Sequence, residues 1–143
     1  MRSRADRRGF TLIEIIVVIA VVAILASMVS PMVFNNVGDA KSTAARAQIE
    51  TFALALDSYR LDNGEYPSTA LGLGALRVAP AEGDAPRWRG PYLRREVPQD
   101  PWGRPYVYRN PGTANPSGYD LLTLGRDGAE GGEGEDADVE SWR

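Results

Sequence analysis

Hydrophobic and polar positions divide the chain into stretches of different period. From Phe10 to Val29, twenty residues carry a single charge, Glu14. That is about the length a helix needs to cross a bilayer core, so the run predicts a membrane or assembly-core helix over residues 10–30. From Val33 to Leu61 the pattern turns amphipathic. Val33, Val37, Ala44, Ala45, Ile49, Phe52, Ala53, Leu56 and Tyr59 recur by threes and fours, and Asp39, Lys41, Arg46, Glu50, Asp57 and Arg60 fall mostly outside that stripe. The second half of the same helix is therefore predicted over residues 31–62, with a total length of roughly 80 Å from Phe10 to Asp62 at about 1.5 Å per residue. Pro31 lies at the junction, removes a helical hydrogen bond and crowds the preceding turn, so a kink or local unwinding is expected there. Asn63-Gly64 supplies the stop, and Pro67 blocks a restart.

Residues 63–143 lose the helical period and predict a small head. Between Tyr66 and Asp100 the chain is rich in Pro, Gly and Arg; Ser68 or Thr69 caps at most a short helix through Leu71, Leu73, Leu76 and Val78, weakened by Gly72 and Gly74. Trp88, Tyr92 and Leu93 are the residues expected to fold this loop back onto the head. Asp100-Pro101-Trp102-Gly103 reads as a turn. Two strand candidates follow, Arg104 to Arg109 and Tyr119 to Leu124, with Tyr106 and Tyr108 on one side and Val107 on the other. Such a hairpin is too small to stand alone and is expected to pack on the long helix. The fold class is α+β: one long N-terminal helix against a small antiparallel sheet.

Charge gives the two ends of the chain a direction. Arg2, Arg4, Arg7 and Arg8 precede the apolar run with Asp6 as the only acid, which holds the N-terminus in the cytoplasm and sends the remainder outward. A cleaved secretory signal opens the same way, and Ala23-Ile24-Leu25-Ala26-Ser27 offers a cut, although not a clean small-x-small one. Glu14 argues against that reading, because a carboxylate in hydrocarbon costs about 2.5–3.5 kcal/mol and such residues have partners. A cut between Gly9 and Phe10 creates an α-amine four residues before Glu14, a cation that a neighbouring helix can present to the carboxylate.

The 143 residues include no Cys and no His, which removes disulfides, thiolate metal sites and the commonest general base. Ser42, Ser58 and Ser117 have no recognisable base nearby in sequence, so no catalytic residues are assigned and the chain reads as an enzyme's substrate, not an enzyme. The net charge of −3 hides an asymmetry: basic residues gather between Arg77 and Arg109, and from Asp120 onward eight acids face only Arg126 and Arg143. Nucleic acid is not an expected partner. The stretch from Asp127 to Asp138 alternates glycine with acid, a composition that suits either a calcium loop or a solvated, flexible acidic end. It is not an EF-hand, since Ala129 and Gly131 stand where oxygen-bearing side chains are needed. Trp142, just beyond the acids, is a candidate to clip the loop's end onto the head.

Gly9-Phe10-Thr11-Leu12-Ile13-Glu14, with its basic leader and apolar helix, resembles the processing motif of type IV pilins and type II secretion pseudopilins. That resemblance implies a type IV pilin-like fold, a leader over residues 1–9 removed by prepilin peptidase, N-methylation of Phe10, and a filament in which Glu14 guides assembly. Tyr66-Pro67, the segments Trp88–Leu93 and Asp100–Tyr106, and Leu124-Gly125-Arg126-Asp127-Gly128 are similar to the G pseudopilins of type II secretion. That family implies a helical homo-oligomer built from the bacterial inner membrane into the periplasm. It also implies minor pseudopilins and an inner-membrane secretion platform as partners, and export of folded proteins as the task. By the same correspondence a structural Ca²⁺ is expected on the carbonyl of Leu124 and the carboxylates of Asp127, Asp136 and Asp138, with Glu133 or Glu135 as substitutes. Pro31 is expected to mark the flexible part of the assembly helix. A surface type IV pilin and a membrane-anchored calcium-binding module are the alternatives; the absence of cysteines weighs against the former.

Overall fold

A computed structural model describes residues 10–81 and 83–143, and for 29–36 the backbone alone. The elements in order are helix α1 (Leu12–Asn63), a 3₁₀ turn (Gly72–Leu76), strands β1 (Val107–Arg109) and β2 (Asp120–Thr123), a second 3₁₀ turn (Gly134–Asp136) and strand β3 (Val139–Glu140). The chain divides into two compact units, Met1–Val37 and Gly38–Arg143.

In the first unit α1 starts where Thr11 Oγ1 accepts the backbone N–H of Glu14 at 3.3 Å. Thr11-Leu12-Ile13-Glu14 has the spacing of a capping box, and Glu14 sits in the first helical turn, where the backbone N–H groups favour an acid. From Phe10 to Met28, thirteen large apolar side chains are exposed, from Ile15 at 44% to Leu12 at 79%. Among the described residues no helix is long and apolar enough to cross a membrane. The fully described part of the apolar stretch ends at Met28, and the end of the expected span, residues 29–30, lies outside the described side chains. Helical backbone continues through Pro31, so the expected unwinding is not observed. The helix is continuous there although a proline removes its own N–H donor and crowds the carbonyl one turn back.

The second unit is built on the other half of α1. Ala45, Ile49, Phe52, Ala55, Leu56 and Tyr59 are buried. This stripe is narrower than the sequence pattern: Ala44 is exposed, Val37 is 47% exposed, and Ala55 joins the core in place of the half-buried Ala53. Alanine is uninformative in a periodicity argument, because it is tolerated on either face of a helix. The expected terminator is in place, with Gly64 N donating to Arg60 O at 2.7 Å.

The sheet is antiparallel in the order β1-β2-β3, with Tyr108 opposite Leu121, Arg109 opposite Asp120, and Thr123 opposite Val139. Tyr106 and Tyr108 both face inward at 8% exposure, as their alternation with Val107 requires. Tyr106 meets Phe52 edge-on with ring centres 5.1 Å apart and donates its hydroxyl to Gln48 Oε1 at 3.1 Å. The loop between helix and sheet is folded back as expected: Trp88 Nε1 donates to Ala75 O at 2.8 Å, and the N–H groups of Tyr92 and Leu93 share Leu76 O. The short helix shrinks to the 3₁₀ turn, leaving Val78 69% exposed. Strand β3 lies beyond the expected hairpin. It ties the chain end down together with Ser141 N, which donates to Leu121 O at 2.9 Å. Trp142 is 36% exposed and lines a groove with Gly131, Gly132 and Asp138 of the acidic loop.

Candidate functional sites

Two regions carry the chemistry expected from the sequence. The first is the start of α1. Gly9 lies outside the described residues. Phe10 is 78% exposed and precedes the first helical residue, so its backbone nitrogen is free of the helical ladder. Glu14 and Phe10 are both exposed, a geometry open to a cation from a neighbouring chain. The capping role of Thr11 was legible in its three-residue spacing from Glu14 but was masked by the interest of the carboxylate itself.

The second region is the acidic loop between β2 and β3. Its frame is made of backbone and arginine. Gly125, at φ +62°, lies so close to the backbone of Asp136 and Ala137 that a Cβ there would stand 2.8 Å from their carbonyl oxygens, which excludes any other residue. Arg104 donates to the carbonyls of Gly125 and Arg126, at 2.6 Å each. Leu124 O accepts Gly128 N at 3.2 Å, and Arg126 N donates to Glu135 O at 2.8 Å.

The four expected metal donors have different fates. Leu124 O and Asp127 flank the turn at the start of the loop, with Asp127 Oδ1 accepting Ala129 N at 3.0 Å. Asp138 Oδ2 accepts Gly131 N at 2.9 Å, and its other oxygen, Oδ1, is buried with no hydrogen-bond partner. Asp136 is committed elsewhere: both its oxygens accept from Arg126, at 2.9 and 3.0 Å. The Asp136 carboxylate holds the Arg126 guanidinium pKa above its ordinary value. Among the described residues no three acidic side chains converge on a point that could hold a metal. The donor set is nevertheless of the right kind for a hard cation, all oxygen on a glycine-rich backbone, and the orphaned Oδ1 of Asp138 is an acceptor that lacks a positive partner.

Next to the loop, two buried aspartates are satisfied by the protein itself. Asp120 accepts the N–H groups of Thr113, Ala114 and Asn115 at 2.6–2.9 Å. Asp100 Oδ1 accepts Trp102 N and Arg104 N at 3.0 and 2.8 Å, and Oδ2 accepts the Thr123 hydroxyl. The sequence reading passed over both. Their signal was the turn composition around them, an Asp-Pro pair and an Asn/Gly/Pro cluster. A groove of about 610 Å³ between α1 and residues 92–98 offers the hydroxyls of Thr51 and Ser58. Both donate to carbonyls one turn back, those of Ala47 and Leu54, at 2.9 Å each.

Comparison with known proteins bears on both regions. Residues 32–142 match the family model described as type II secretion system protein G, and residues 4–30 match that of the prokaryotic N-terminal methylation motif. The chain is 46% identical over 141 residues to the type II secretion system core protein G of Pseudomonas aeruginosa, covering 98% of each. It is 42% identical over 143 residues to the Vibrio cholerae protein of the same name, covering 99% of this chain and 96% of that one. Among solved structures it is similar to the major pseudopilin of the type 2 secretion system of enterohaemorrhagic Escherichia coli, with a TM-score of 0.63 and 34% identity over 76% of this chain and 92% of that one.

Proposed function

The chain belongs to the type II secretion system protein G family and is a structural subunit of that system's pseudopilus, and from that premise we propose how its parts divide the work. The precursor is anchored by residues 10–30 in the inner membrane, N-terminus in the cytoplasm and head in the periplasm. Prepilin peptidase removes the leader after Gly9 and methylates Phe10. Copies then leave the bilayer for a periplasmic filament that helps drive folded proteins outward, working with minor pseudopilins and the inner-membrane platform. The subunit's role is structural, without catalysis of its own.

The observation that carries this reading is the exposed apolar surface of α1. Full burial of a Leu, Ile, Val, Phe or Met is worth about 1.5–3 kcal/mol, so covering what remains exposed on thirteen such side chains is worth on the order of 10–20 kcal/mol. That is as large as a typical domain's whole net stability, about 5–15 kcal/mol. The segment is therefore covered by lipid in the precursor and by sister helices in the filament. Transfer between these two environments is nearly balanced, because lipid tails and apolar side chains differ little; a directional interaction has to choose the filament. Glu14 facing the Phe10 amine of a neighbour provides that choice, since the carboxylate is costly in lipid and paired in the assembly.

Calcium is the head's structural ion in this reading, held by Asp127, Asp138 and the carbonyl of Leu124. When bound, the ion would supply positive charge to Asp138 Oδ1, which is buried without a donor. Replacing Glu14 by Leu is the decisive experiment. Glu14→Leu should keep the precursor in the membrane and leave cleavage after Gly9 intact, while filament formation and secretion fall at least tenfold; assembly at the wild-type level would remove the pairing from the mechanism.

A further inference from the structure

Among the described residues Arg126 is the one basic side chain placed on the carboxylates of the acidic loop itself, whereas Arg104 is spent on backbone carbonyls and Arg143 lies 3.1 Å from Glu140. It grips residues nine and ten positions downstream through side chain and main chain together. Nε and one terminal nitrogen bind the two oxygens of Asp136, the other terminal nitrogen binds Glu135 Oε2 at 3.1 Å, and the backbone N–H binds Glu135 O. The grip also reaches α1. The Glu135 side chain lies across buried Gly38, where even a Cβ would overlap it. A planar guanidinium spanning both oxygens of a carboxylate is the arrangement in which arginine acts as a fork and not as a point charge.

The geometry points to Arg126 as the loop's own counter-cation. It closes the segment from Asp127 to Asp136 without a metal and keeps Asp136 out of the ion's reach, so that calcium must compete with a guanidinium for that carboxylate. The second half of this inference rests on the calcium reading above; the first half does not. Two consequences of opposite sign follow. Losing the guanidinium loosens the metal-free loop, because Asp136 and Glu135 are left repelling their acidic neighbours. The same loss strengthens calcium binding, because Asp136 becomes available as an additional hard oxygen donor.

The test compares the full chain in detergent with its Arg126→Gln variant, with EDTA and with added CaCl₂. In EDTA the variant should be cut within residues 127–138 about two- to five-fold faster, the scale of a partly exposed ion pair. In a calcium titration followed by calorimetry its apparent Kd should be tighter by about the same two- to five-fold factor. Adding Asp136→Asn to the variant should cancel that gain, and Arg126→Lys, with one charge and no fork, should fall between variant and wild type. At about 1 M salt, where screening reaches about 3 Å, the difference in affinity should shrink. Equal cleavage in EDTA would overturn the clasp, and weaker calcium binding by Arg126→Gln would overturn the competition. If neither protein responds to CaCl₂, the calcium reading and the competition fall together, while cleavage in EDTA still decides the clasp.

Discussion

Asp120 opens β2 and Asp138 immediately precedes β3, the strand beside it, yet their carboxylates are satisfied in different ways. Asp120 is 3% exposed and fills its oxygens with three backbone N–H groups from the turn it faces. Asp138 receives one N–H on one oxygen and none on the other, although the latter is buried. Burying an unpartnered polar atom costs about 1–3 kcal/mol, more when it is charged. The hairpin thus carries its own counter-donors and is complete as folded, whereas the loop is a partial site. Its chain geometry is set by glycines and arginines, and part of its oxygen surface is left for something else to neutralise.

Asp120→Asn is the sharpest way to break this contrast. The amide keeps the shape but turns an NH₂ toward N–H groups that need an acceptor, and loss of charge-assisted bonds should cost about 2–3 kcal/mol. A thermal melt should register that loss equally with calcium and with EDTA. A loss that appears only in the presence of calcium would mean that hairpin and loop form one site.

Tyr106, Tyr108 and Tyr119 form an aromatic hub at the hairpin that should respond to alkali, with a sign that can be stated in advance. Burial, with a further contribution from Asp100, pushes the Tyr106 hydroxyl up to about 12. Burial first, then Asp57, does the same to Tyr119, also to about 12, and burial raises Tyr108 further. An unfolded tyrosine releases its proton near 10, so the folded state holds more protons between those values. The tyrosines' contribution is therefore fully present below about pH 10 and is lost as pH rises toward about 12. Phenolate absorbance should appear together with unfolding, and not ahead of it. Titration of the tyrosines in a head that stays folded would show the hub to be more open than its burial implies.

The same contrast explains what could be read from the sequence. The long helix, its stop at Gly64, the inward pair Tyr106 and Tyr108, and the folded-back loop with Trp88 were legible because each rests on periodicity or on a bulky residue that has to be buried. The motif around Gly9 and Glu14 was legible as chemistry, a lone carboxylate in an apolar run. What escaped depends on contacts between residues far apart in sequence. Val139 and Glu140 are too short a strand to show a period, and they pair only because β2 presents a free edge. Asp100 and Asp120 looked like ordinary turn residues, since nothing local shows that a carboxylate will be buried under three donors. Asp136 and Asp138 looked equivalent in an acidic run. Only the folded chain gives one of them to Arg126 and leaves the other with a bare oxygen.

That bare oxygen supports a prediction in which two conditions disagree. With calcium at about ten times its Kd, the ion should stabilise the head by about 1.4 kcal/mol, a shift of roughly 4–8 °C per kcal/mol for a domain of this size. Asp138→Asn should abolish that shift, because a neutral amide offers a poorer oxygen to a hard cation. In EDTA the same substitution should be neutral or slightly stabilising, since Asn still accepts Gly131 N through its carbonyl oxygen and no longer buries a charge without a partner. Asp127→Ala, at an exposed carboxylate, should remove the calcium shift with little change in EDTA. If Asp138→Asn lowers the melting temperature equally in both conditions, Asp138 is a structural acid of the same kind as Asp120, and the distinction between the two regions disappears.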